Sequence, residues 1–211
     1  MQKSTDLQEI FRFVSCVDPT LTASSLLMDS DRLVGVVCCP KTVSTYSLTG
    51  SNIIASLIAS SLLGIPRIER DWLEIARQHT LSNVEALAYS MRGEDFGRYS
   101  SIGRDLRPSF DSIIEDYFLC SIVVAIVTPS TSHFFSIGEG YIEANGKHVQ
   151  VGPFADGEKP YLFVALMDSQ KEHCASCCLK FQERHFLPTE GLHSFSIGDE
   201  SGKNFLAFFR N

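Results

Sequence analysis

No stretch of this chain reaches the roughly 18 consecutive apolar residues that a membrane-spanning helix needs. The longest candidate, Ile53–Leu63, is shorter and interrupted by serines, so no membrane partner is expected. The opening residues Met1–Glu9 are polar and lack the apolar centre of a secretion signal, which makes a cytoplasmic protein the expectation. Basic residues are outnumbered, 18 Lys and Arg against 25 Asp and Glu for a net charge of −7. A nucleic-acid partner calls for the opposite balance, because basic side chains must replace the counterions of the phosphates. Neither Gly-x-Gly-x-x-Gly nor Gly-Lys-Ser/Thr occurs, which removes the loops that cradle nucleotide phosphates. Repeats, low-complexity tracts and shifts of composition are missing too, so 1–211 reads as one domain. The seven cysteines are an odd number and several are adjacent, which points to reduced thiols and excludes a disulfide framework.

What is present suits a large core: 44% of residues are apolar and 20% charged, and 211 residues bury most of the surface their unfolded chain exposes. The organising stretch is Cys120–Val151. Ser121–Val127 is an unbroken run rich in β-branched residues, Thr128-Pro129-Ser130 a turn, and His133–Ile137 a second apolar run. Gly138-Glu139-Gly140 makes a tight corner, and Tyr141–Glu143 and His148–Val151 flank the hairpin signal Asn145-Gly146. So apolar a series predicts the centre of a sheet. Upstream, Gln8–Cys16 has a strand-like core, Ser24–Met28 and Arg32–Cys39 form a hairpin, and Lys41–Thr49 is a hydroxyl-rich loop.

The period then changes. Ile53, Ile54, Leu57, Ile58 and Leu62 recur at helical spacing over Ser51–Leu63, with Gly64 and Pro66 as stops. Asp71–Gln78 and Ser82–Met91 each open with a capping box, and Trp72, Ile75, Leu81, Val84, Leu87 and Ala88 form their buried stripe. Glu94–Asp116 carries Arg98, Arg104 and Arg107, which have the chemistry to hold a phosphate; the plainer reading is a solvated loop. Tyr161–Met167, His185–Pro188 and Asn204–Phe209 complete the strands. Strands, then helices, then strands give an α+β domain.

Several local patterns in this order resemble the metal-dependent protein serine/threonine phosphatases, the PPM or type 2C family, in their short bacterial branch. The resemblance spans about Phe11 to Phe209. Leu33–Cys38 resembles the family strand that ends in Asp-Gly, Gly50-Ser51 the Gly-Ser pair that opens its long helix, and Gly138-Glu139-Gly140 its Gly-Asp-Gly corner. Thr189-Glu190-Gly191-Leu192 resembles a later Ser-Asp-Gly-Leu, and Ser201–Phe208 the closing Asp-Asp strand. The resemblance implies an αββα sandwich, two antiparallel sheets flanked by helices, and a site in which aspartates hold a pair of Mn²⁺ or Mg²⁺ ions that activate water against a phosphoester.

On that alignment the metal positions fall at Asp18, Glu139 and Glu190, with Cys39 and Pro40 where the family has its bridging Asp-Gly. The closing pair falls at Ser201-Gly202, with Asp199 and Glu200 two residues ahead. Cys39 is a soft ligand in place of a hard carboxylate. The resemblance therefore implies a pseudophosphatase that needs no cofactor and acts by binding a protein partner, a phosphoprotein or a kinase. The alternative is an active Mn²⁺- or Mg²⁺-dependent phosphatase with an altered site built from Asp18, Glu139, Glu190 and Asp199. A second alternative comes from the cluster His173-Cys174-Ala175-Ser176-Cys177-Cys178, a zinc- or thiol-dependent regulatory module, although a structural zinc site usually joins two separated ligand pairs. A Cys39 nucleophile would need His133, His185 or His193 beside it as base.

Overall fold

The computed structural model describes residues 11–42, 44–65, 72–94, 109–151, 161–167, 183–188, 192–199, 201–202 and 205–210. Two antiparallel five-stranded sheets pack face to face. The first runs β2 (Ala23–Met28), β3 (Leu33–Pro40), β4 (Cys120–Val127), β5 (Thr131–Ile137), β8 (Glu183–Pro188). The second runs β1 (Phe11–Cys16), β10 (Phe205–Arg210), β9 (Ser194–Gly198), β6 (Gly140–Ala144), β7 (Lys147–Val151). Helices α1 (Thr45–Gly64), α2 (Trp72–Glu94) and α3 (Phe110–Ile113), which continues as a π-helical segment (Ile114–Phe118), cover the first sheet together with a 3₁₀ turn (Leu162–Leu166). The described residues thus form an α+β sandwich of two antiparallel sheets with helices covering the first, the two-sheet architecture that the resemblance implies.

Strand alternation builds two cores from β3 and β4. Leu33 and Val37 of β3, with Val123, Ala125 and Val127 of β4, point between the sheets and meet Phe195, Ile197, Leu206 and Phe208. Val34, Val36 and Cys38, with Cys120, Ile122, Val124 and Ile126, point the other way, toward the helices. The rings of Phe195 and Phe208 stack 4.2 Å apart between the sheets. A side chain at Gly35 would stand 3.2 Å from the Phe208 ring, so glycine there lets the sheets close.

Helix α1 begins earlier than its apolar period. The stretch Lys41–Thr49, expected as a loop, becomes helical from Thr45 because Ser44 and Ser47 form a capping box: the Ser47 N–H donates to Ser44 Oγ and the Ser44 N–H to Ser47 Oγ, each at 3.1 Å. Its length and composition suffice to cross a membrane. Ile54, Ala55, Ile58, Ala59 and Leu62 nonetheless line one buried face, and the helix packs on β2 and β3. At its other end the buried Arg32 donates to the Leu62 carbonyl at 3.0 Å and to that of Ile65, a side-chain cap on carbonyls that have no helical partner.

The two helices expected around residues 71–91 are one. Thr80 lies inside α2, buried with its hydroxyl donating to the Ala76 carbonyl at 2.8 Å, and the stretch between the two capping boxes is helical. Ala76, Thr80, Val84 and Ala88 form the buried line, whereas Ile75, expected in it, is 41% exposed. Trp72's side chain lies outside the described part. The expected strand Tyr161–Met167 is instead the 3₁₀ turn; its run of large apolar residues has no alternation, and Tyr161, Leu162, Phe163 and Met167 all bury in the helix-facing core. Strand β9 was not expected at all, although Ser194-Phe195-Ser196-Ile197 alternates and sends Phe195 and Ile197 inward. The arginines Arg98, Arg104 and Arg107 and the cluster 173–178 lie outside the described residues.

Candidate functional site

Cys120–Val151 does not form the centre of a single sheet. Strands β4 and β5 belong to the first sheet and β6 and β7 to the second, and Gly138-Glu139-Gly140 is where the chain crosses between them. Gly138 has φ +81°, and a Cβ there would also stand 2.6 Å from Ser121 Oγ. A Cβ on Gly140 would meet Val123 Cγ2 at 2.2 Å. Both glycines are thus required by the crossing, the first by its left-handed backbone and the second by close approach. Glu139 is held between them at 5% exposure, and its N–H donates to Ser121 Oγ at 3.2 Å.

Ser121 links Glu139 to the next predicted position. Across the β3–β4 ladder it stands opposite Cys39, and Pro40 stands opposite Cys120. Tyr161, which no motif singled out, completes the corner. Burial raises its hydroxyl to about 12, and the nearby Glu139, Cys39 and Cys120 push in the same direction. Cys39 is half-buried, while Cys38 and Cys120 are fully buried thiols. Burial drives the Cys38 thiol well above its ordinary value, and the hydrogen bond its S–H donates to Cys120 adds to it. Glu139 and Cys39 therefore converge at this sheet end, with Ser121 between them and Tyr161 near both, while the Cys38 and Cys120 thiols face the helices.

Register brings two further acids to the same end of the sandwich. Cys16 pairs with Phe205, Phe205 with Gly198, and Gly198 with Tyr141. Asp18, Asp199 and Glu139 each lie within two residues of that row, beyond the strand ends. Their carboxylates are used locally, however. Asp18 is exposed and accepts from the Thr20 N–H at 2.8 Å and the Thr20 hydroxyl at 2.7 Å, bonds that hold it below the usual carboxylate range. Asp199 is 6% exposed and accepts from Ser201 Oγ at 2.7 Å. Among the described residues no three His, Cys, Asp or Glu side chains are grouped to hold a metal ion; Glu190 and Glu200 lie outside them. A pair of Mn²⁺ or Mg²⁺ ions wants several hard oxygen ligands around each ion, and the described neighbours of Glu139, the Cys39 thiol and the Ser121 and Tyr161 hydroxyls, do not fit such a pair.

Two other expectations change. Gly50-Ser51 does not open α1 but lies within it, where a Cβ on Gly50 would stand 1.8 Å from the Tyr117 carbonyl oxygen; the glycine seats the π segment on α1. His133 stands opposite Ile126, five residues along β4 from Ser121 and hence about 17 Å away along the strand. His193 is exposed beside Asn145, at the far end of β6. Neither can act as base for Cys39. His185's side chain lies outside the described part.

No family model and no curated protein matches this chain. Solved structures do, among them bacterial serine/threonine phosphatases. Against Stp1 from Staphylococcus aureus the TM-score is 0.49 at 8% identity, over 95% of this chain and 93% of that one. Against PppA of Pseudomonas aeruginosa it is 0.44 at 10% identity, over 96% and 98%. Against PstP of Mycobacterium tuberculosis it is 0.42 at 8% identity, over 95% and 97%. A structure of the PstP catalytic domain holds two manganese ions.

Proposed function

We propose that this chain is a phosphatase-like domain with a degenerate metal site, a cytoplasmic pseudophosphatase that acts by binding a protein partner, either a phosphoprotein or a kinase. One observation carries the reading. The end of β3 places Cys39 across from Ser121, whose Oγ accepts from the N–H of the buried Glu139. A thiol in that place cannot share two hard cations as a carboxylate does. The other acids at this end of the sandwich support the reading, since Asp18 caps its own turn and Asp199 binds Ser201. With no activated water, the scaffold keeps its shape and loses its chemistry. The test is hydrolysis of a phosphothreonine peptide by the full chain in excess Mn²⁺. No phosphate release above a heat-denatured control is expected. Turnover that depends on Mn²⁺ and disappears in Glu139→Gln would overturn the proposal in favour of an active enzyme with an altered site.

A further inference from the structure

We infer that the exposed aromatic ledge formed by Tyr46 and Tyr117 takes an arginine-bearing basic segment of the protein partner; the inference rests on the partner-binding reading above and adds the chemistry of what docks. Tyr46 stands on the first turn of α1 and is 60% exposed, the most exposed large apolar side chain among the described residues. Its ring lies 5.2 Å from that of Tyr117, which the π segment carries. That segment is built onto α1, since only a glycine at position 50 admits the Tyr117 carbonyl. The backbone under Tyr117 is therefore fixed on α1, and the Tyr46 ring leans against that of Tyr117.

Its rim is acidic. Glu115 and Asp116 immediately precede Tyr117 and are both exposed, and Asp116 helps hold the Tyr117 hydroxyl above its ordinary value, after burial and Tyr46. A cation already rests on this rim: Lys41 Nζ lies 3.3 Å from Glu115 Oε1, with both side chains largely in solvent. An exposed pair of this kind holds weakly. A guanidinium can replace the ammonium by gripping a carboxylate with two parallel N–H bonds while its plane covers the open face of Tyr46. Lysine, a point charge, gains only the electrostatic part. The net charge of −7 favours approach of a basic segment. The ledge also borders the Glu139 corner, because Lys41 follows Cys39-Pro40 and its N–H donates to the Leu119 carbonyl at 2.8 Å.

The probe is a capped peptide of alternating arginine and alanine, titrated into the isotope-labelled full chain, with lysine and glutamate peptides of the same length beside it. Shifts centred on Lys41, Tyr46, Asp116 and Tyr117 are expected, with affinity in the order arginine, lysine, glutamate. Tyr46→Ala should weaken the arginine peptide about two- to fivefold and erase its advantage over lysine; Asp116→Asn should weaken both. Equal binding of arginine and lysine peptides, or arginine shifts spread over the acidic surface and unchanged by Tyr46→Ala, would overturn the inference. Phosphopeptide turnover would overturn the proposed function and leave this result standing, so the two failures are distinguishable.

Discussion

Two glycines show how strongly single positions are constrained here, each for a different reason, and a third is free of constraint. Gly50 faces the Tyr117 carbonyl at 1.8 Å from its would-be Cβ, a backbone atom that cannot swing aside. Gly50→Ala is expected to cost about 3 kcal/mol or more, visible as a lower denaturant midpoint with an unchanged slope. Gly138 combines φ +81° with a 2.6 Å approach to Ser121 Oγ, so Gly138→Ala should lose at least the ~1–2 kcal/mol of a left-handed residue with a Cβ. Gly64, with nothing within 4 Å, is the control; Gly64→Ala should leave stability near wild type. Two titrating groups add a pH dependence. Burial lowers the His133 imidazole below 6.5, so the folded state resists the proton that the unfolded chain accepts. Stability is complete above pH 6.5 and falls as the pH drops below it. Tyr161 is raised to about 12, so the unfolded chain ionises first and stability is lost as pH rises between about 10 and 12. His133→Phe should flatten the acid limb and Tyr161→Phe the alkaline limb of a stability-against-pH profile.

Among the elements, Arg32 ties the β2–β3 turn to the end of α1 through the Leu62 and Ile65 carbonyls. Arg32→Met keeps the stem and removes those bonds. A loss of about 1.5–3 kcal/mol is expected, with faster amide exchange in the last turn of α1 and little change at its Ser44 end. Most strands could be read from the sequence, because β-branched runs between turn residues leave little choice: Leu33 onward, Ser121–Val127 and the Asn145-Gly146 hairpin lie where they were expected. Which sheet each strand joins could not be read. Alternation tells which side chains share a face but not what lies opposite, so the crossing at Gly138-Glu139-Gly140 looked like a bend within one sheet. Local hydroxyl chemistry and burial along a helix face were the other hidden factors. Ser44 and Ser47 start α1 early, and burial of Ala76, Thr80, Val84 and Ala88 on one face makes α2 continuous where two helices were expected.

The molecule as a whole brings one end of the sandwich together from residues far apart in sequence: Asp18, Cys39, Ser121, Glu139, Tyr161 and Asp199. The acids and Cys39 were visible as motif positions. Tyr161 was hidden in an apolar run, and nothing in the sequence shows that Asp18 and Asp199 bind their neighbours Thr20 and Ser201. The proposed function requires that this end of the sandwich lack the donors for a pair of divalent cations. Calorimetric titration of the full chain with Mn²⁺ tests it most directly, with Glu139→Gln titrated in parallel. The expected result is the same featureless dilution heat from both proteins at micromolar metal; saturable binding by the wild type that Glu139→Gln abolishes would contradict it.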